Sequence, residues 1–267
     1  MADVTLTRGR GFADDFPDLT GWSEDVAGGS FTLSGGIVTF SRISGVPAWK
    51  KAISPTLASA TYKALGWRVK AIAGTFTAAF EIRYTDLTTE EISVENSQTT
   101  WKFLTGSLTQ SKTIDQVRIK FTGASTGSTL LIDLVMIHKE LLNLPVVNQP
   151  MGFSNPRVLV ELPILRREGG VLQDLGSMST VIQCNGGLFT TTTPNNYTAV
   201  QWVQVLLGTW LEANWQVFSS ELWDLKVQIE FFQATPVPGR KDYFDFVLRI
   251  RKHDPVAATA DSWGAIQ

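Results

Sequence analysis

Alternation of apolar and polar residues with period two constrains this chain more than any other feature. Phe244, Phe246, Leu248 and Ile250 alternate with Asp245, Val247, Arg249 and Arg251, and Leu225, Val227, Ile229 and Phe231 alternate with Lys226, Gln228 and Glu230. Successive side chains of a strand point to opposite faces, so each run buries one face and wets the other. A helix would scatter the same residues around its axis. Trp67, Val69 and Ala71 against Arg68, Lys70 and Ile72 repeat the pattern, as do Phe80, Ile82 and Tyr84 against Glu81 and Arg83. Phe31 to Leu33, the turn Ser34-Gly35-Gly36 and Ile37 to Phe40 read as a hairpin. Further extended runs at 91–95, 100–104, 117–121 and 130–137 bring the first half to roughly eight or nine strands, the count of a two-sheet sandwich or jelly roll.

The second half changes style. Residues 141–157, LLNLPVVNQPMGFSNPR, hold three prolines and no period. The expected organisation is a β-sandwich over 1–142, a linker over 143–157, a β-barrel or curled sheet over 158–252 and a tail over 253–267. In the third part Val158, Val160, Leu162 and Ile164 share one strand face, and 171–175 and 180–184 are two further extended runs. Asn195-Asn196 offers an N-cap, and Val200, Val203, Leu207 and Trp210 follow at three-to-four spacing, predicting one amphipathic helix near 196–211. The fold class expected is mainly β, a sandwich followed by a barrel with one helix.

Chemistry is sparse. Zinc sites and Ser-His or Cys-His catalysis need several His or Cys side chains, and this chain has only His138, His253 and Cys184. The stretch RREGG at 166–170 lacks the GKS or GKT and the following helix of a phosphate loop, so its glycines read as a hairpin turn. No pair of carboxylates can be singled out for glycoside hydrolysis, and the protein is expected not to be an enzyme. Basic and acidic residues are balanced, fourteen of each over 1–145 and nine against eleven over 146–267, which leaves no basic stripe for nucleic acid. The opening lacks the apolar region of an export signal, and no apolar run approaches the ~18 residues of a membrane helix. A single cysteine fits synthesis in a reducing cytosol.

Tryptophan is the abundant residue with binding potential, with nine in the chain. Indole stacks on the C–H face of a sugar, so an exposed Trp on a sheet makes a platform. Trp67 alternates into the core. Trp49 and Trp101, each beside Lys and near Ser or Thr, are the candidates for glycan contact.

The first half resembles the carbohydrate-binding-module jelly rolls found beside glycoside hydrolases, through DDFPDLTGWSEDVAGGSFTLSGGIVTF at 14–40 and LLIDLVMIHKE at 130–140. That resemblance implies a structural calcium held by Asp133 with Asp14 or Asp15. The stretch ELPILRREGGVLQDLGSMSTVIQCNGGL at 161–188 resembles the opening of a ring-forming barrel domain of tailed-phage distal tail and baseplate proteins. It implies a hexameric ring between tail tube and baseplate hub, with Arg166, Arg167, Glu168 and Asp174 in the contact region. The protein would then be a virion component made in the host cytoplasm, displaying a sandwich that meets host-surface glycan. A peripheral baseplate protein is also open, since the ring domain here comes second. The alternative is a secreted or enzyme-associated carbohydrate-binding protein.

Overall fold

The computed structural model describes residues 4–95, 98–145, 152–154, 157–163, 170–177, 181–190, 195–212, 215–219, 224–240 and 242–252, with side chains of 94–95, 124, 152–154, 157–163 and 170–177 outside the description. The chain divides into two compact units. The first holds residues up to Leu142 and takes back Phe218–Asp224; the second holds Asn143–Val217 and Leu225–Val256.

The first unit is built from β1 (Val4–Asp14), β2 (Trp22–Val26), β3 (Gly29–Ser34), β4 (Ile37–Arg42), β5 (Ala48–Ala58), β6 (Ala64–Ala73), β7 (Phe76–Tyr84), β8 (Thr89–Glu95), β9 (Lys102–Ser107), β10 (Thr113–Ala124) and β11 (Thr129–Leu144). Five of them form one antiparallel sheet in the order β2-β5-β10-β7-β8. In the facing sheet β11 is central. It pairs with β6, which carries β9, and also neighbours β1 and β4, the latter carrying β3. The expected hairpin of β3 and β4 is present, closed by Ser34↔Ile37.

Period-two alternation puts the core between these sheets. Trp67, Val69, Phe80, Ile82, Val117, Ile119, Ile132 and Val135 are fully buried in one continuous cluster. Aromatic rings fill much of it: Phe40 stacks on Phe121 at 4.6 Å, and Phe31 meets Phe40 edge-on at 5.6 Å. Aromatic pairs in these geometries contribute about 0.5–1.5 kcal/mol beyond their buried area.

The returning segment Phe218–Asp224 completes this unit. Leu6 pairs with Phe218 and Thr5 with Ser219 along β1. Asp224 is fully buried and accepts hydrogen bonds from the Phe103 amide at 2.8 Å and the Ser219 hydroxyl at 2.6 Å. Its Oδ2 lies 3.4 Å from Arg68 Nε, while Arg68 Nη1 is 2.5 Å from Asp133 Oδ2. One buried guanidinium thus joins two buried carboxylates, which is how a charge cluster survives inside a protein.

The chain continues through β12 (Gly152–Ser154), β13 (Arg157–Pro163), β14 (Gly170–Ser177), β15 (Val181–Leu188), α1 (Ala199–Trp210), β16 (Gln216–Ser219), β17 (Asp224–Pro236) and β18 (Phe244–Lys252). In the second unit, strands pair antiparallel in the order β12-β15-β18-β17. The hairpin of β13 and β14 pairs only with itself among the described residues. A barrel needs every strand to have two neighbours; among the described residues these strands form an open sheet and no closed barrel, and they carry one helix, so the fold is mainly β as expected.

The helix starts two to three residues later than Asn195-Asn196 suggested. Thr198 is the N-cap: its hydroxyl accepts the Gln201 amide, and the Gln201 side chain accepts the Thr198 amide. This capping box satisfies two amides left open at the helix start. Asn195 instead accepts the Asn143 amide at 2.8 Å.

Candidate functional site

Register assembles the most organised polar surface of the first unit. Ser23 pairs with Lys50, Lys50 with Arg118, Arg118 with Glu81, and Glu81 with Glu91. Directly paired residues share a face, so this row crosses all five strands on the side opposite Trp49, Ile119 and Phe80. Asp25 and Lys120 join it from β2 and β10.

The directly paired Lys50–Arg118 and Glu81–Glu91 are like-charged, and Asp25 and Lys120 interleave them so that the charges alternate in sign along the ion pairs. Asp25 bridges Lys50 at 2.6 Å and Arg118 at 2.8 Å; Glu81 lies 3.2 Å from Arg118 and also bonds Lys120, which reaches Glu91 at 2.8 Å. Hydrogen bonding from Lys50 leads the causes that hold the Asp25 carboxyl below its ordinary range, against the opposing effect of burial, with Arg118 adding its attraction. Burial pulls the Lys120 ammonium down, but its bonds to Glu81 and Glu91 outweigh this and raise it. Each group is thereby kept charged. Glu81 forms the floor, only 3 % exposed at its side chain, while Lys50 and Glu91 stand out at 35 % and 37 %. Chemically, the face offers fixed guanidinium and ammonium donors beside carboxylate acceptors.

The residues expected from sequence lie elsewhere. Trp49 is on the core side of β5, stacked on Phe31 at 4.9 Å, with its indole N–H buried. Trp101 is half-buried and lies over the Arg68 guanidinium at 4.9 Å, next to the buried charge cluster.

The carboxylates assigned to calcium are separately engaged. Asp14 accepts the Phe16 amide at 2.9 Å and the Trp22 indole at 2.8 Å, and Lys51 Nζ sits 2.7 Å away. Asp15 acts on Arg10, and Asp133 is held by Arg68. Calcium takes six to eight oxygen ligands. Among the described residues no group of three or more His, Cys, Asp or Glu side chains is placed to hold a metal ion, and at Asp14 a lysine ammonium supplies the positive charge.

Arg166, Arg167 and Glu168 lie outside the described residues. The backbone of Asp174 pairs with Leu159 in the β13–β14 hairpin, and its side chain lies outside the description. His253 also lies outside. Cys184 is fully buried, and burial pushes its thiol up to about 12, far from a reactive thiolate.

Sequence reasoning missed the charge row. Arg118 and Lys120 alternate with Val117, Ile119 and Phe121, which marks them as one wet face. Their partners Asp25, Glu81 and Glu91 come from three other strands, and only register brings them together.

No family model and no curated protein matches the sequence. Solved structures similar to part of it include the family 11 carbohydrate-binding module of the cellulosomal cellulase Lic26A-Cel5E of Clostridium thermocellum. That match has 13% identity over 49% of this chain and 95% of that one, with a TM-score of 0.37. A family 29 carbohydrate-binding module complexed with cellulohexaose matches at 13% identity over 51% of this chain and 92% of its own, TM-score 0.37. The module CsCBM6-3 from Clostridium stercorarium, in complex with cellobiose, matches at 16% identity over 50% and 98%, TM-score 0.35. At these scores no residue of theirs is carried onto this chain.

Proposed function

We propose that the protein binds carbohydrate without transforming it, and that the outward face of the β2-β5-β10-β7-β8 sheet is the binding surface. The alternating row of Lys50, Asp25, Arg118, Glu81, Lys120 and Glu91 carries this reading. A sugar presents hydroxyls that both donate and accept. Charged donors and acceptors fixed side by side meet such pairs with charge-assisted hydrogen bonds, each contributing about 1.5–3 kcal/mol. The extended row suits an oligosaccharide lying across the strands.

The test is calorimetric titration of the full chain with cellohexaose and mannohexaose, alongside an assay for released reducing ends. Binding without hydrolysis is expected, weakened about tenfold or more in Arg118→Ala and in Lys120→Ala. Unchanged affinity in both variants would remove this face from the function, and turnover would end the non-catalytic reading.

The virion role rests on the resemblance at 161–188. On that reading six sandwiches would share one ring, where weak sites would gain through effective concentration. Native mass spectrometry over a concentration series tests it: a closed hexamer supports the ring, and a monomer at every concentration counts against self-assembly.

A further inference from the structure

The sheet of the second unit has one buried and one exposed face. Ile182, Cys184 and Leu188 of β15 and Phe246, Leu248 and Ile250 of β18 are buried. On the other side, Gly187 pairs with Asp245 and Asp245 with Thr235; in the next row Asn185 pairs with Val247 and Val247 with Gln233. Asn185, Asp245, Thr235 and Gln233 are exposed.

Two aromatic rings stand at the end of this polar face. Phe189, just past β15, is 42 % exposed, and its ring lies parallel to that of Tyr243 with centroids 6.2 Å apart and 6° between planes. Gly187 makes room for Tyr243: a Cβ there would stand 2.1 Å from the Tyr243 hydroxyl oxygen. The Arg240 guanidinium lies 5.7 Å from the Tyr243 ring centre. The rings are therefore held in orientation by neighbours while part of the Phe189 surface faces water.

We infer that this face is a second carbohydrate site, in which a neutral pyranose stacks on the Phe189–Tyr243 pair and its hydroxyls bond to Asp245. A sugar ring has an apolar C–H face for the phenyl ring and hydroxyls for the carboxylate. Asn185 and Gln233, one row along, offer amides to a neighbouring sugar unit. The site uses no residue of the sandwich and stands or falls separately from the proposed function.

The experiment is titration of the full-length protein with cellohexaose and mannohexaose, with circular dichroism to check that each variant is folded. Phe189→Ala and Tyr243→Ala are expected to lower affinity about tenfold, and Phe189→Trp to retain it. Gly187→Ala, which pushes Tyr243 aside but leaves both rings, is expected to weaken binding as well. In the double variant R118A/K120A a binding event that still depends on Phe189 should remain. If binding responds to Arg118 and Lys120 but not to Phe189 or Tyr243, this second site is overturned and the sandwich reading survives. A response to Phe189 and Tyr243 alone gives the reverse, and no binding to either sugar sinks both.

Discussion

His138 shows how far one buried side chain can set the solution behaviour of the fold. It is fully buried on β11, with Nδ1 2.8 Å from the Glu140 carbonyl oxygen. Burial lowers its pKa to about 4, against smaller opposing effects from the backbone at Glu140 and Leu65 and from the Glu140 charge. The ordinary value near 6.5 applies to the unfolded chain, so the unfolded state takes up a proton first as pH falls. Stability from this residue is full above about pH 6.5 and is lost progressively down to the folded value. Between pH 7.5 and pH 5 the loss should be about 2 kcal/mol. Urea denaturation at those two pH values measures it, and His138→Leu should flatten the difference by that amount. An unchanged pH slope in the variant would show that His138 is not the group responsible.

At the scale of elements, clean alternation was readable and interrupted alternation was not. β7, β17 and β18 stand where their patterns place them. β5 was missed because Lys50-Lys51 and Ser54-Pro55 break the pattern. Its pairing explains how the proline fits: partners run Thr113↔Ala58 and Ile114↔Leu57, then shift to Gln116↔Ala52, so Pro55 falls in the irregular stretch. The expected run 180–184 stops short of Gly186 and Gly187, yet both lie inside β15, where the Phe246 and Tyr243 rings approach too closely for a Cβ. The cluster of Arg68, Asp133 and Asp224 joins residues up to 156 positions apart, and nothing local in sequence announces it. Its internal logic is testable. Arg68 neutralises two carboxylates, so Arg68→Met should cost about 3–5 kcal/mol, the range for stranding buried charge. Asp224→Asn should cost less, since Arg68 keeps Asp133 and an amide oxygen still accepts the Phe103 amide. Equal losses in the two variants would refute this asymmetry.

At the scale of the molecule, the chain path matters more than the linker near residue 142 suggests. A reading by composition gives a self-contained sandwich over 1–142, but that unit takes back Phe218–Asp224 from much later in the sequence. The returning segment pairs with β1 and brings Asp224 to Arg68 and to the Phe103 amide. Residues 1–145 alone would lack that partner strand, leaving the Phe103 amide without its carboxylate and Arg68 with one counter-charge fewer. Unsatisfied buried groups cost about 1–3 kcal/mol each, a large share of the stability of a domain this size. The fragment should therefore unfold at lower denaturant than the full chain, and a synthetic peptide spanning 216–226 should restore part of the difference in a saturable way. The same peptide with Asp224→Ala should restore less. If fragment and full chain melt alike and the peptide has no effect, the return of the chain is incidental to the sandwich.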